Sequence, residues 1–299
     1  MADKPIVLSI GEILWDMLPT GKRAGGAPVN FSYHAAKNGA EGYAISAVGE
    51  DQLGRELEEA VHQAGVNALL QHNQWPTSTV EVQLTEGIPE YIFKENVAWD
   101  HVELTDRLTD LASRADAVCY GTLGMRSEQS RATFEELLRR TRPDAMRFFD
   151  INLRGAYYSK ALIEELLGMA TMFKLNDEEL VILRDMFDIS GDTDAEVCDW
   201  FMKRYHLDTV VLTAGSAYST IYLSDGETSR LQTPKVTVAD TVGAGDAFSG
   251  TFAINRLMGA SLNQAHRAAV NTAAFVCTQE GAWPQYPARM HDYLADQGR

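Results

Sequence analysis

Apolar positions along the chain keep two different spacings. Short, nearly continuous apolar runs at 6–10, 43–48, 117–120, 146–151, 172–175 and 210–213 have the length and content of buried strands. Between them, apolar residues recur every three or four positions. That period predicts helices at 28–37, 51–65, 127–140, 159–169, 177–187, 194–205, 244–259, 261–279 and 288–296. Strands alternating with helices imply a mainly parallel sheet covered on both faces. The stretch 77–84 differs, because polar and apolar residues alternate there before a turn at Glu86-Gly87 and a return at 90–94. It predicts a small antiparallel sheet standing off the core, in the manner of a lid. An added hairpin is expected at 218–223 and 229–232, and a strand end at 236–238. No repeat, low-complexity tract or linker interrupts the pattern.

Charge narrows the partners. Forty-two acidic against 26 basic residues leave a net charge of −16, the wrong sign for wrapping nucleic acid. A nucleotide ligand remains compatible, because backbone N–H groups and a few basic side chains can hold phosphate. Cys119, Cys198 and Cys277 are widely spaced and odd in number, which predicts free thiols in a reducing compartment. With no signal-peptide core and no run of about 18 apolar residues, a soluble cytoplasmic protein without membrane contact is expected.

The stretch Asp240-Thr241-Val242-Gly243-Ala244-Gly245-Asp246 carries the sharpest chemistry. Its glycines let the backbone turn tightly beside a ligand, and the helix that follows points free N–H groups and its positive dipole end the same way. That is a phosphate seat. A carboxylate there suits a base facing an incoming hydroxyl, with the N–H groups holding charge on a transferring phosphoryl. A plain N-cap Asp on a glycine-rich turn is the competing reading. Upstream, Gly11-Glu12 follows the first strand and leads to Asp16, where a carboxylate can accept two sugar hydroxyls. Gly25-Gly26-Ala27-Pro28-Val29-Asn30 opens a helix, with the Asn30 amide one turn in. Polar residues recur at later strand ends: Asp150, Asn152 and Arg154; Lys174 and Asn176; Thr213, Gly215 and Ser216. A nucleotide is expected along that edge. Asn176 and Glu179 also fit a capping box that needs no ligand. A P-loop kinase and a nicotinamide dehydrogenase are disfavoured, since neither fingerprint is present. A catalytically inactive sugar- or nucleotide-binding regulator stays open, disfavoured by the intact turn around Asp246.

Taken in order, these motifs resemble the ribokinase (PfkB) family of carbohydrate kinases across nearly the whole chain, and fructokinases most within it. The resemblance implies a ribokinase-like three-layer fold, one domain over 1–299 with a lid from about 12–25 and 75–102. It implies transfer of the γ-phosphoryl of ATP to a primary hydroxyl of a hexose, fructose first, with ribose, 2-keto-3-deoxygluconate and nucleosides as other acceptors. By resemblance Asp246 is the base and Gly243, Ala244 and Gly245 the anion hole. Asp16, Gly26, Asn30, Phe93 and Arg154 match sugar-side positions. Lys174, Asn176, Thr213, Gly215, Ser216 and Asn271 match nucleotide-side positions, with residues 277–283 near adenine. Asn176 and Glu179 resemble the pair that orders Mg2+ through its waters. A K+ requirement and a homodimer through the lid are left open. Two departures stand out. Tyr218 replaces a glycine of the nucleotide motif, and Phe93-Lys94-Glu95-Asn96 lacks the arginine usual in fructokinase lids.

Overall fold

The computed structural model describes residues 4–18, 21–85, 88–288 and 290; between 82 and 91 only the backbone is described. In chain order the elements are β1 (Ile6–Ile10), β2 (Leu14–Leu18), β3 (Gly21–Gly25), α1 (Ala27–Lys37), β4 (Glu41–Gly49), α2 (Gln52–Gln63), β5 (Asn67–Asn73), β6 (Thr79–Thr85), β7 (Ile88–Phe93) and α3 (Asp106–Arg114). Then come β8 (Ala117–Tyr120), α4 (Glu128–Arg140), β9 (Met146–Asp150), α5 (Lys160–Met169), β10 (Met172–Asn176), α6 (Asp177–Met186) and α7 (Asp194–Tyr205). The chain continues with β11 (Thr209–Ala214), β12 (Tyr218–Leu223), β13 (Thr228–Gln232), α8 (Ala244–Leu257) and α9 (Leu262–Cys277).

Nine strands form the main sheet in the order β13-β12-β11-β10-β9-β8-β1-β4-β5. All neighbours are parallel except the β11-β12-β13 meander. Alternation along the strands splits the core in two, as the period of two requires. Leu8, Ile10, Tyr120, Phe149, Phe173 and Leu212 pack against α3 to α7. Val7, Cys119, Phe148, Met172 and Val211 face the opposite way, onto α1, α8 and α9. This is the expected three-layer α/β arrangement. Strands β3-β2-β6-β7 make the small sheet. Its β6–β7 hairpin is antiparallel as expected, but β2 joins β6 in parallel, so the sheet as a whole is mixed. It ends at Phe93, and Ala98 and Trp99 beyond it are buried.

Several expectations change. Residues 236–238 form no strand, because nothing pairs with them, and Val238 is 59% exposed. Strands β2, β3 and β5 and helix α3 were not anticipated. The expected turn at Glu86-Gly87 lies outside the described residues, as does nearly all of the helix expected at 288–296.

Helix starts show where the sheet's C-terminal edge is kept open. Helices α2 to α7 and α9 each begin under a side-chain cap, from Asp51, Thr105, Ser127, Ser159, Asn176, Thr193 and Ser261. Helices α1 and α8 begin instead at Gly26 (φ 125°) and Gly243 (φ 76°), with no side-chain cap. In α8 the orphan N–H groups are therefore not spent on a capping side chain, while in α1 the first of them, from Ala27, goes to the Glu12 carboxylate.

Candidate active site

Gly243 holds the left-handed conformation at which α8 starts, and a Cβ there would stand 2.5 Å from that of Ala282. Only glycine fits. Asp246 follows in the first turn of α8, and its Oδ2 accepts a 2.7 Å hydrogen bond from Asn30 Nδ2. Asn30 reaches it because α1 crosses α8 at Gly250, where a Cβ would lie 2.8 Å from Phe31 O. The other end of the Asn30 amide accepts from Trp283 Nε1 at 2.8 Å.

Charges behind this turn are tightly managed. Lys174 donates to both oxygens of Asp150, at 2.9 and 2.8 Å, and Ser249 Oγ sits 2.8 Å from Asp150 Oδ2 and 2.9 Å from Gly245 O. Burial alone would push Lys174 down, but the Asp150 charge and hydrogen bonds outweigh it and hold the ammonium above its ordinary value. Burial and the nearby Asp150 charge push Asp246 up to about 6, against the pull of Asn30, Lys174 and Arg154. Glu12 is buried, with the Ala27 N–H on its Oε1 at 3.2 Å. Burial carries its carboxyl up to about 7, with Asp246 adding to the effect.

These groups line a cleft of about 680 Å³ between the two sheets. On the small-sheet side, Arg23, Asp16, Val80 and Phe93 sit opposite one another across β3, β2, β6 and β7, and all four line the cleft. Burial raises the Asp16 carboxyl above its ordinary value, while Arg154 and Arg23 counter it. Arg23 also ties the small sheet to the glycine-rich turn through Asp240, at 2.7 Å.

On the other side, Asn176, Glu179 and Thr213 line the cleft with Lys174. The capping box is formed in full: Asn176 Oδ1 accepts from Glu179 N and Glu179 Oε2 from Asn176 N, both at 2.8 Å. Glu179 Oε1 takes a further 2.8 Å bond from Leu153 N. Burial raises this carboxyl. A glutamine has one oxygen for two N–H donors, so Glu179→Gln should lower the melting temperature by a few degrees, for ~1–3 kcal/mol of a lost buried bond. Loss of turnover beyond that, restored by added magnesium, would show that the carboxylate also orders the metal's waters. A flat magnesium titration leaves it a cap. Among the described residues no three His, Cys, Asp or Glu side chains converge on a metal position.

Of the sequence-predicted residues, Asp16, Gly26, Asn30, Phe93, Arg154, Lys174, Asn176, Glu179, Thr213, Gly243, Gly245 and Asp246 share this cleft. Ala244, Gly215, Ser216 and Asn271 are not among its lining residues. Tyr218 donates to Asp194 at 2.9 Å and lies under the Arg230 guanidinium at 3.5 Å, turned to the meander. The structure adds Arg23 and Ser249 to the site and shows what Asp150 and Asp240 hold there, Lys174 and Arg23. Trp283, in the stretch expected near adenine, donates to Asn30. No sequence spacing links Trp283 to Asn30; their contact is purely tertiary.

An open α/β sheet with an uncapped helix start at its C-terminal edge, and a carboxylate inside that first turn, defines a phosphotransferase. The pfkB family carbohydrate kinase model matches residues 18–289, and the chain belongs to that family. A fructokinase of Rhizobium leguminosarum bv. trifolii is 28% identical over 81% of this chain and 77% of its own length. A 5-dehydro-2-deoxygluconokinase of Bacillus anthracis is 25% identical over 90% of this chain and 84% of its own. The crystal structure of Xylella fastidiosa fructokinase with bound ATP superposes with a TM-score of 0.82, covering 98% of this chain and 99% of that one at 20% identity. The protein is thus a sugar kinase of this family. Among the described residues no helix is long and apolar enough to cross a membrane.

Proposed function

We propose that the enzyme transfers the γ-phosphoryl of ATP to a primary hydroxyl of a hexose, with fructose the preferred acceptor. The observation that carries this reading is Asp246 inside the uncapped first turn of α8, one oxygen held by Asn30 and the other free to take a proton. Its carboxylate removes the acceptor proton as the oxygen attacks, and the N–H groups of Gly243, Ala244 and Gly245, of which Ala244's also donates to Thr241 O at 3.2 Å, hold the charge of the moving phosphoryl. Lys174, kept charged by Asp150, adds to that field. Asn176 and Glu179 supply oxygen donors of the kind magnesium takes and would hold its waters. When bound with nucleotide, the ion neutralises phosphate charge. Asp16 and Asn30 grip the far hydroxyls of the sugar, with Phe93 and Arg154 beside them. The small sheet closes over the sugar as a lid and excludes water. Thr213 faces the nucleotide.

The test is the acceptor panel: kcat/KM with ATP for fructose, ribose, 2-keto-3-deoxygluconate, 5-dehydro-2-deoxygluconate and adenosine. Fructose should lead. Another acceptor used at least as efficiently would end the fructokinase reading and leave the kinase intact. Asp16→Ala should raise the sugar KM about tenfold or more, the effect of ~1–3 kcal/mol for an unpartnered buried hydroxyl, and leave the ATP KM unchanged. An ATP KM that moves with it would take Asp16 away from the sugar.

A further inference from the structure

Residues 281–286 run as a strap along one face of α1 and past the start of α8. On α1, Asn30, Tyr33 and His34 share one helical face, and each bonds to it. Tyr33 OH donates to Pro284 O at 2.6 Å. His34 Nε2 donates to Ala282 O at 3.0 Å, so its Nδ1 accepts from Tyr286 OH at 2.7 Å. Burial pulls His34 down to about 3, so the ring is neutral and this tautomer is fixed. On α8's side, Gly281 N donates to Asp240 Oδ2 at 3.1 Å, and Ala282 fills the space that Gly243 leaves. The strap is therefore located by bonds that do not involve Trp283.

Trp283 hangs from this fixed backbone with its Nε1 2.8 Å from the Asn30 amide. An indole N–H can only donate. The amide atom facing it must be the oxygen, which leaves Nδ2 facing Asp246, as found at 2.7 Å. We propose that Trp283 is a positioning residue for the base. It locks the Asn30 carboxamide so that only its amino group is presented to Asp246 and to the acceptor sugar. Without the lock, a protonated Asp246 could be met by a turned amide whose oxygen accepts from the new acid O–H. With it, the amide offers Asp246 a donor in both states and so favours the carboxylate. The same lock sets a rule for the substrate. With Oδ1 turned to Trp283 and one N–H to Asp246, the amide's second N–H is open to a sugar hydroxyl, which must accept there.

The inference rests on Asp246 as the base, and its test is built so that the two can fail separately. Trp283→Phe keeps the ring and removes the donor. Its kcat with the best acceptor of the panel should fall ~3–10-fold, the worth of one hydrogen bond. The acid limb of kcat/KM should move up by about half to one pH unit, because the protonated base is no longer disfavoured. The groups facing Asp246 from other elements (Glu12, Cys119, Asp150, Arg154 and Lys174) are unchanged in this variant. In an Asn30→Ala background Trp283→Phe should add nothing, and full additivity would overturn the coupling. Trp283→His, which keeps a ring donor, is measured beside it and should return part of the pH shift, so a poorly folded Phe variant does not end the test. Folded Trp283 variants with the wild-type pH profile would refute the proposal. If Asp246→Asn were itself active, the base assignment would fall first, whatever Trp283 does.

Discussion

Asp246→Asn should fold, bind ATP and lose turnover by ~10²–10⁴-fold, the usual contribution of a general base. The amide is nearly isosteric and can still accept from Asn30, but it cannot take the acceptor proton. Wild-type kcat/KM should fall as pH drops through about 6, where burial and Asp150 have raised the carboxyl. The sign for stability is opposite to that for activity. A carboxyl raised in the folded state binds its proton more tightly there than in the unfolded chain, at about 3.9. Its stabilising contribution is therefore present at low pH and lost as pH rises through the folded value. Asp246→Asn should accordingly melt no lower than wild type at pH 8. Near-normal turnover in the folded variant would remove Asp246 from the chemistry, and a lower melting temperature at pH 8 would contradict the electrostatic account.

Two glycines in the same turn should fail in different ways. Gly243→Ala meets a positive φ of 76° and a Cβ contact of 2.5 Å with Ala282. The left-handed conformation alone costs ~1–2 kcal/mol, and the strap must shift besides. We expect a melting temperature several degrees lower, with activity lost in step. Gly245 has no such constraint: its φ is not positive, and an added Cβ would lie 3.6 Å from Lys174 Nζ, an ordinary contact. Gly245→Val should therefore fold normally yet place a branched side chain against the phosphoryl path. Losing an aligned oxyanion donor costs ~10²–10³-fold in turnover. Melting temperature and kcat together separate the two. A Gly245→Val enzyme of normal activity would place the anion hole elsewhere.

What could be read in advance follows from how local each signal is. Helix α8 and its glycine turn are written in consecutive residues, and so is the capping box of Asn176 and Glu179. Central strands such as β9 and β10 are buried on both faces and show as apolar runs. Strand β5, at the sheet edge, carries Asn67, Gln71, His72 and Asn73 and looks like a loop. Strand β3, Gly-Lys-Arg-Ala-Gly, has almost no strand propensity and exists because β2 offers it a ladder. Helix α3 was missed although its signal is local, a Thr105 cap with Leu108, Leu111 and Ala112 on one face. Val236 to Val238 erred the other way, β-branched but without a neighbour. In the site, most motif residues share one cleft but Ala244, Gly215, Ser216 and Asn271 are not among its lining residues, while Arg23, Asp150 and Trp283 matter through partners far away in sequence. Glu179 shows the limit of a local reading: its second oxygen, on Leu153, depends on how β9 and β10 sit side by side.

The small sheet does not choose its own register. Strand β2 follows β1, and β6 follows β5, while β4 alone separates β1 from β5 in the main sheet. Because the main sheet holds β1 and β5 one strand apart, the long loop between Trp15 and Thr79 is closed by that sheet, and its entropy is not charged to the small sheet alone. The alignment of β2 with β6 is inherited from the layer beneath. A slip of one residue would turn Asp16 and Phe93 to solvent and bring Met17 and Ile92, which now lie on the outer face at 39% and 42% exposure, into the cleft. Which small-sheet side chains face the cleft is thus settled by strand order in the larger sheet.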